Sequence, residues 1–301
     1  MEPRFRISGK DLSMIYHCAI AEAVRYFRVH SSLETMVLGV SGGIDSAVVA
    51  ALAHGVIGQL YKEGRGIKLM GYSLPLITNE DDELERAKVV GSTFCTHFGE
   101  VDNSSMITEL VKVIDNSLFY EMYGHEANRP HASKIRTGNI KARLRMMYLY
   151  DKAAKYKGLV LGTDNLTEYL LGFWTLHGDV GDFGFIQNLW KTEVYAMAEW
   201  MIAQGIGDDI LGKCMDANPT DGLGVSDGDV DQLFPTWKEH LPSKKATHRE
   251  AYKAIDETLI ACISPMDRSP MAMMIPEVME RYHATDFKRE NPFNIPRDRL
   301  I

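Results

Sequence analysis

The chain has 301 residues, 45% hydrophobic and 25% charged, the balance of an ordinary globular protein with ample material for a large core. Its 33 Lys and Arg face 41 Asp and Glu, a formal net charge of −8 that argues against a general nucleic-acid binder. No apolar run approaches the length needed to cross a bilayer, and the opening MEPRFRISGKD has no signal-peptide core. With four cysteines (Cys18, Cys95, Cys214, Cys262) and no CxxC pair, a cytosolic protein with reduced thiols and no zinc site is expected.

Leu12, Ile15, Tyr16, Ala19, Ile20, Ala23, Val24 and Phe27 recur at helical steps and predict one buried stripe leading into the first strand. Met36 to Val40 is that strand, Ser41 to Ser46 a glycine-punctuated turn, and Ala47 to Ala53 an alanine-rich helix. Gly42 and Gly43 remove side chains where the backbone must bend, so its amides can close on an anion at the positive end of the following helix. Ser41 and Ser46 add hydroxyls, and Asp45 adds a carboxylate able to meet a hard cation. The loop has neither a Walker A ending nor GxGxxG spacing. It is similar to the SGGxDS pyrophosphate loop of enzymes that split ATP into AMP and pyrophosphate, and a plain Gly-Gly turn is the alternative.

A second strand is expected at Lys68 to Leu74, then an acidic helix start at Asn79 to Asp82 before Leu84, Ala87, Val90 and Phe94. A short strand near Glu100 and Val101 and a helix around Met106 to Leu118 continue the alternation, which implies a doubly wound, mainly parallel sheet with helices on both faces, in one domain spanning 1–301. Phe119 to Thr137 reads as a loop. Asn139 to Tyr150 reads as a helix with Lys141, Arg143 and Arg145 in its first turns, where the dipole disfavours cations; an anionic partner or a solvated face would each explain them.

Leu159 to Gly162 is a further strand, ending directly in Thr163 to Glu168. Ligands of open α/β sheets sit beyond the carboxyl ends of strands, so Asp45 and Glu168 are expected to approach one site, where two carboxylates suit magnesium. Gly172 to Gly184 reads as an irregular, site-serving loop, Leu189 to Gln204 as a helix with Lys191 in its first turn, and Asp216 to Pro235 as a mobile loop ordering on ligand. Thr247 and Glu250 fit a capping box. The polar, proline-bearing tail from Asp286 is either disordered or closes over a site. No nucleophile triad or zincin spacing is present.

Read together, LGVSGGIDSAVVAALA, GNIKARLRM, GTDNLTEYLLGFWTLHGD, LWK and NPTDGL occur in an order and spacing that resembles the NAD synthetase family over nearly the whole chain. The resemblance implies a homodimer with a dinucleotide substrate near the subunit interface. It implies that Gly39, Val40, Ser41, Gly42, Gly43, Ile44, Asp45 and Ser46 cradle ATP, that Asp45 and Glu168 hold Mg2+, and that Thr163, Lys191 and Thr220 contact ATP. Arg143, Asp182 and Lys288 fall where the family holds deamido-NAD. Two family side chains differ: a lysine is Leu176, with His177 beside it, and a histidine before Lys288 is Phe287.

The implied reaction adenylates the nicotinate carboxylate of deamido-NAD, then amidates it with ammonia to give NAD, AMP and pyrophosphate, with Asp179 placed to orient the ammonia. No segment of glutaminase length accompanies the motifs, so free ammonia, or ammonia delivered by a separate protein, is expected as the nitrogen source. A GMP synthetase-like or thiolating relative, or a nucleotide-binding regulator that has lost catalysis, are the alternatives.

Overall fold

Five short strands make one fully parallel sheet in the order β3-β2-β1-β4-β5. They are β1 (Thr35–Gly39), β2 (Lys68–Ser73), β3 (His97–Glu100), β4 (Gly158–Gly162) and β5 (Phe183–Gly184). The computed structural model describes residues 11–76, 79–115, 130–220, 222–226, 228–241, 246–264 and 274–299. The chain winds outward from β1 through β2 to β3, then crosses back to β4 and β5, so the winding direction reverses between β1 and β4. Connections leave those two strands in opposite senses, which opens a crevice past their carboxyl ends.

Strand periodicity decides which helix covers which face. Met36, Leu38, Leu69, Leu159 and Leu161 point into the larger core, with α1 (Leu12–Val29), α2 (Ile44–Lys62), α3 (Asp81–Phe94) and α7 (Lys191–Ala203). Val37, Met70, Tyr72 and Val160 point the other way, onto Met146, Leu149 and Ala153 of α5 (Pro130–Lys155). On that second face α4 (Ser104–Asp115) leans on α5 through Ile107 and Leu144. Helices therefore cover both faces, as the alternation of elements predicts.

The remaining described helices are α6 (Leu166–Leu170), α8 (Asp208–Asp216), α9 (Asp229–Leu233), α10 (Trp237–His240), α11 (His248–Ile263), α12 (Pro276–Ala284) and α13 (Asp286–Arg289). α11 starts with the expected capping box: Thr247 accepts from the Glu250 amide and the Glu250 carboxylate accepts from the Thr247 amide. It packs on α6, α7 and α12.

Four sequence expectations need correction. α2 begins at Ile44, so Asp45 and Ser46 lie in its first turn rather than in a loop. α5 begins at Pro130, where proline is pre-shaped for a first helical position, so 130–137 is helical; 116–129 lies outside the described residues. Lys141, Arg143 and Arg145 thus sit mid-helix and the dipole argument about them falls. Within the segment read as irregular, Phe183–Gly184 pairs with β4, and within 216–235 α9 forms. Finally, α2 is long and apolar enough to cross a membrane by length and composition, but most of it is buried in the protein core; a helix apolar all round is a core helix.

Candidate active site

The loop after β1 is tied before any ligand arrives. The Ser41 amide donates to Ser46 Oγ at 3.2 Å, the Gly43 amide donates to Ser41 Oγ at 3.2 Å, and Ser46 Oγ donates to the Gly43 carbonyl at 3.1 Å. Gly42 has φ +81°, and a Cβ there would lie 2.4 Å from the Glu83 carbonyl of α3, so both conformation and space demand glycine. Arg86 Nε donates to the Gly42 carbonyl at 3.1 Å. The turn presents the first amides of α2 to the crevice, the geometry that favours an anion.

The loop after β4 faces it. Asn165 caps α6: its side chain accepts from the Glu168 amide at 3.1 Å, while the Glu168 carboxylate accepts from the Asn165 amide at 3.3 Å. Asn165 Nδ2 also reaches across the crevice to Asp45 Oδ1 at 2.9 Å. The two acids predicted to meet do meet, on a third side chain. Lys191 Nζ donates to Glu168 Oε1 at 3.1 Å and contacts Asp45 Oδ2.

Lys191 is the first residue of α7, is 1% exposed, and carries its charge at the end of the helix where the dipole opposes it. Burial pulls its ammonium down, but Asp45 and Glu168 outweigh that and hold it well above the ordinary lysine range. Two carboxylates share one ammonium, so burial and the charge of Asp45 leave Glu168 with a raised pKa. Asp164 is also raised, by burial and by Asp179, Glu168 and Asp45. The Tyr252 ring lies 5.1 Å from Lys191 Nζ. Behind the pair, Asp256 of α11 accepts from Thr167 Oγ1 at 2.5 Å and from Thr192 Oγ1 at 2.7 Å.

Two cavities adjoin here. The first, about 220 Å³, is lined by Gly39, Val40, Ser41, Asp45, Ser46, Thr163, Glu168 and Thr220, and extends to Tyr72, Asn79 and Arg145. The second, about 450 Å³, lies between α5, the 172–175 loop and the tail, and includes Trp174, Arg281 and Lys288. Phe173, Asp179 and Leu223 line both. Asp179 Oδ1 accepts from the Thr175 amide at 2.7 Å. Lys288 of α13 donates to the Gly172 carbonyl at 2.7 Å and the Trp174 carbonyl at 2.5 Å.

Other expected residues lie elsewhere. Arg143 is exposed on α5 and donates to the Leu176 carbonyl at 3.0 Å. Asp182 lies outside both cavities, accepting from the Val160 amide at 2.9 Å and the Tyr150 hydroxyl at 3.1 Å, as a clip between β4 and β5. Phe287 is 61% exposed. His177 is exposed, lines neither cavity, and lies 3.4 Å from Asn291. Sequence reasoning missed Asn165, Asp256 and Arg281. Only Asn165 left a signal, the Asn-x-x-Glu spacing of a capping box.

Asp45 and Glu168 could serve a magnesium ion: both offer hard oxygens on the wall of the first cavity, where they meet on the Lys191 ammonium with two negative charges against one positive, and magnesium takes one or two carboxylates and leaves its other positions to water and phosphate. Among the described residues no cluster of three or more His, Cys, Asp or Glu could hold a metal.

The NAD synthase family profile matches residues 19–292. An NH(3)-dependent NAD(+) synthetase of Chlorobaculum tepidum is 34% identical over 209 residues, covering 66% of this chain and 66% of that protein, so the match spans about two thirds of the relative. Among solved structures, NAD+ synthetase from Burkholderia pseudomallei superposes with a TM-score of 0.62 at 25% identity, covering 96% of this chain and 92% of that one. NMN synthetase from Francisella tularensis has a TM-score of 0.70 at 22% identity, covering 97% and 100%, a likeness of fold. With the profile covering all five strands, the phosphate loop and Lys288, the chain belongs to the NAD synthase family.

Proposed function

We propose that this chain makes NAD from deamido-NAD, ATP and ammonia through an adenylated carboxylate. The observation that carries the reading is the meeting of Asp45 and Glu168, which line the first cavity beside a glycine-bearing loop, on the buried Lys191 ammonium, with Phe173, Asp179 and Leu223 shared between that cavity and a second one. Ser41 to Ser46 receive the ATP phosphates, with Gly39, Val40, Thr163 and Thr220 shaping the pocket around them, while the Ile44 side chain is packed in the core beneath.

In the first step a nicotinate carboxylate oxygen bonds to the α-phosphorus of ATP, the bond from that phosphorus to the bridging oxygen breaks, and pyrophosphate leaves. Lys191 donates to the departing phosphate oxygens, where negative charge builds as the bond from the α-phosphorus to the bridging oxygen breaks. Asp45 and Glu168 would hold magnesium, which would supply neutralisation of phosphate charge. In the second step ammonia bonds to the carbonyl carbon, AMP leaves with the former carboxylate oxygen, and the nitrogen loses a proton. Asp179, at the seam of the two cavities, orients the ammonia, and no covalent enzyme intermediate is required. Alignment of this kind supplies about 7 to 11 kcal/mol in favourable intramolecular models.

Lys288 and Arg281 give the second cavity two cations, beside Asp179 and Asp231 on the same lining, and these two side chains would meet the phosphates of the acceptor nucleotide. Arg143 and Asp182, outside the cavities, would serve that substrate only across a homodimer interface, which is part of this proposal, as are free ammonia as nitrogen source and a cytosolic location.

The test is one assay: purified chain with ATP, magnesium, ammonium and deamido-NAD, reading NAD and AMP together. Equal amounts of both are expected. AMP without NAD would assign another acceptor, and glutamine serving as well as ammonium would overturn the nitrogen source. Because Leu176 and Phe287 replace family side chains at the substrate end, nicotinate mononucleotide is offered in parallel; a preference for it would replace the dinucleotide in this reading.

A further inference from the structure

We propose that Asp256, a buried carboxylate outside both cavities, is a positioning residue: by holding Thr167 and Thr192 together it fixes Glu168 and Lys191 relative to each other. The catalytic part of this inference rests on the amidation reading; the nucleotide-binding part does not.

The contacts form a closed set. Asp256 Oδ1 accepts from Thr167 Oγ1 at 2.5 Å, and Oδ2 accepts from the Thr192 hydroxyl at 2.7 Å and the Thr192 amide at 3.0 Å. Thr167 Oγ1 in turn accepts from the Lys191 amide at 2.9 Å. Thr167 immediately precedes Glu168, and Thr192 immediately follows Lys191. One side chain of α11 therefore joins the first turn of α6, which carries Glu168, to the first turn of α7, which carries Lys191. The two helices come from segments separated in sequence by the Gly172 to Gly184 stretch; the Leu166 amide donates to the Leu189 carbonyl at 2.8 Å ahead of α7, and Asp256 adds the side-chain link between the turns that carry Glu168 and Lys191.

A charged residue is needed for this task, and packing alone would not choose one. Asp256 is 2% exposed and lies between Ile255 and Leu259, both fully buried, at a helix position where an apolar side chain would satisfy the core. Burying a carboxylate is costly unless donors converge on it, and here three do. It also stands at the N-terminus of α7, where the dipole favours a negative charge and where Lys191 places the wrong sign. Four residues earlier on α11, one helical turn away, Tyr252 sets its ring 5.1 Å from the Lys191 ammonium, so a single helix supports both the backbone and the head group of that lysine. Losing an outer partner of a metal ligand typically costs about 10- to 100-fold in metal affinity or activity, and an effect of that order is expected here.

The experiment compares the full chain with D256N, T167V, T192V and the core control I255V. Calorimetry measures ATP (with magnesium) and AMP separately, because Lys191 acts on the outer phosphates that AMP lacks. For D256N and T167V, ATP affinity is expected to weaken about tenfold, AMP affinity to stay within about twofold, and kcat to fall about 10- to 100-fold. Combining D256N with T167V is expected to cost little more than either alone, as for members of one network. I255V is expected to lower Tm and leave affinity and kcat in place. Loss of ATP and AMP affinity in parallel, or wild-type ATP affinity and kcat in the folded variants, would overturn the proposal. T167V and T192V keep the test open should D256N fold poorly. If the unaltered chain binds ATP and makes no NAD, the amidation reading fails, and the ATP-to-AMP comparison still decides the role of Asp256.

Discussion

Two lysines lie near the paired cavities, Lys191 buried behind the acids of the first and Lys288 on the lining of the second, and their surroundings are contrary. Lys191 is 1% exposed and held by two carboxylates, an overcompensated charge that leaves the cluster net negative. Lys288 is half-buried, bonded to the Gly172 and Trp174 carbonyls, 5.5 Å from the Trp174 ring, and among the described residues it has no carboxylate within ion-pair distance. Burial, reinforced by Arg281, pulls the Lys288 ammonium below the ordinary lysine range, whereas Lys191 is held above it. Arg281 donates to the Leu171 and Gln232 carbonyls and lies over the Phe173 ring, and among the described residues it too has no carboxylate within ion-pair distance. The first region holds one cation between two acids; in the second, Lys288 and Arg281 share the lining with Asp179 and Asp231 without pairing to them, which leaves both cations open to an anion.

The sharpest way to break the contrast is Lys191→Met. It leaves Asp45 and Glu168 facing each other with no cation, so stability should fall by about 3 to 5 kcal/mol, the usual result of stripping one partner from a buried pair. In the amidation assay kcat should fall about 10²- to 10³-fold, as when a donor to developing charge is lost. Urea unfolding and steady-state kinetics check the two effects separately. A variant that stays fully active would remove Lys191 from the chemistry.

Gly42→Ala tests the same region through its backbone. The added methyl meets the Glu83 carbonyl at 2.4 Å in a left-handed conformation, so the loop must shift at a cost of about 1 to 3 kcal/mol. ATP binding by calorimetry should be lost or severely weakened. Lys288→Met belongs to the other region and should act differently: KM for the acceptor nucleotide rises about tenfold, the value of one charge-assisted contact, while ATP affinity is unchanged. A matching fall in ATP affinity would show the two cavities to be one coupled site.

What could be read from the sequence follows the same division. The strand, Gly-Gly turn and apolar helix are local, so the anion loop and the approach of Asp45 and Glu168 from strand ends were legible. The Asp256 network was not: an acid between Ile255 and Leu259 on a periodic helix reads as an ordinary polar position, and its partners lie 89 and 64 residues away. Pro130 was hidden by the Gly, Pro and His around it, which mimic a loop, although proline favours a helix start. Asp182 was expected to hold substrate by resemblance, yet its carboxylate serves the edge of the sheet, because β5 is only two residues long and a side chain completes its pairing with β4.

The mildest prediction separates the regions by pH. Burial pushes the Asp256 carboxyl up to about 6, against the hydrogen bonds from Thr167 and Thr192. A folded pKa above the unfolded value of about 3.9 means that the contribution to stability is fully present below that value and is lost as pH rises through about 6. The whole loss is at most about 3 kcal/mol. Lys288 has the opposite shift and acts only in alkaline solution, where the unfolded chain binds more protons and stability rises with pH toward about 10.4. Between pH 4 and 7 the slope from Asp256 is therefore readable without interference from the second region. Thermal melts of the wild type and D256N across that range should show the wild type losing its relative advantage as pH rises, and parallel curves would mean that this carboxyl does not titrate there.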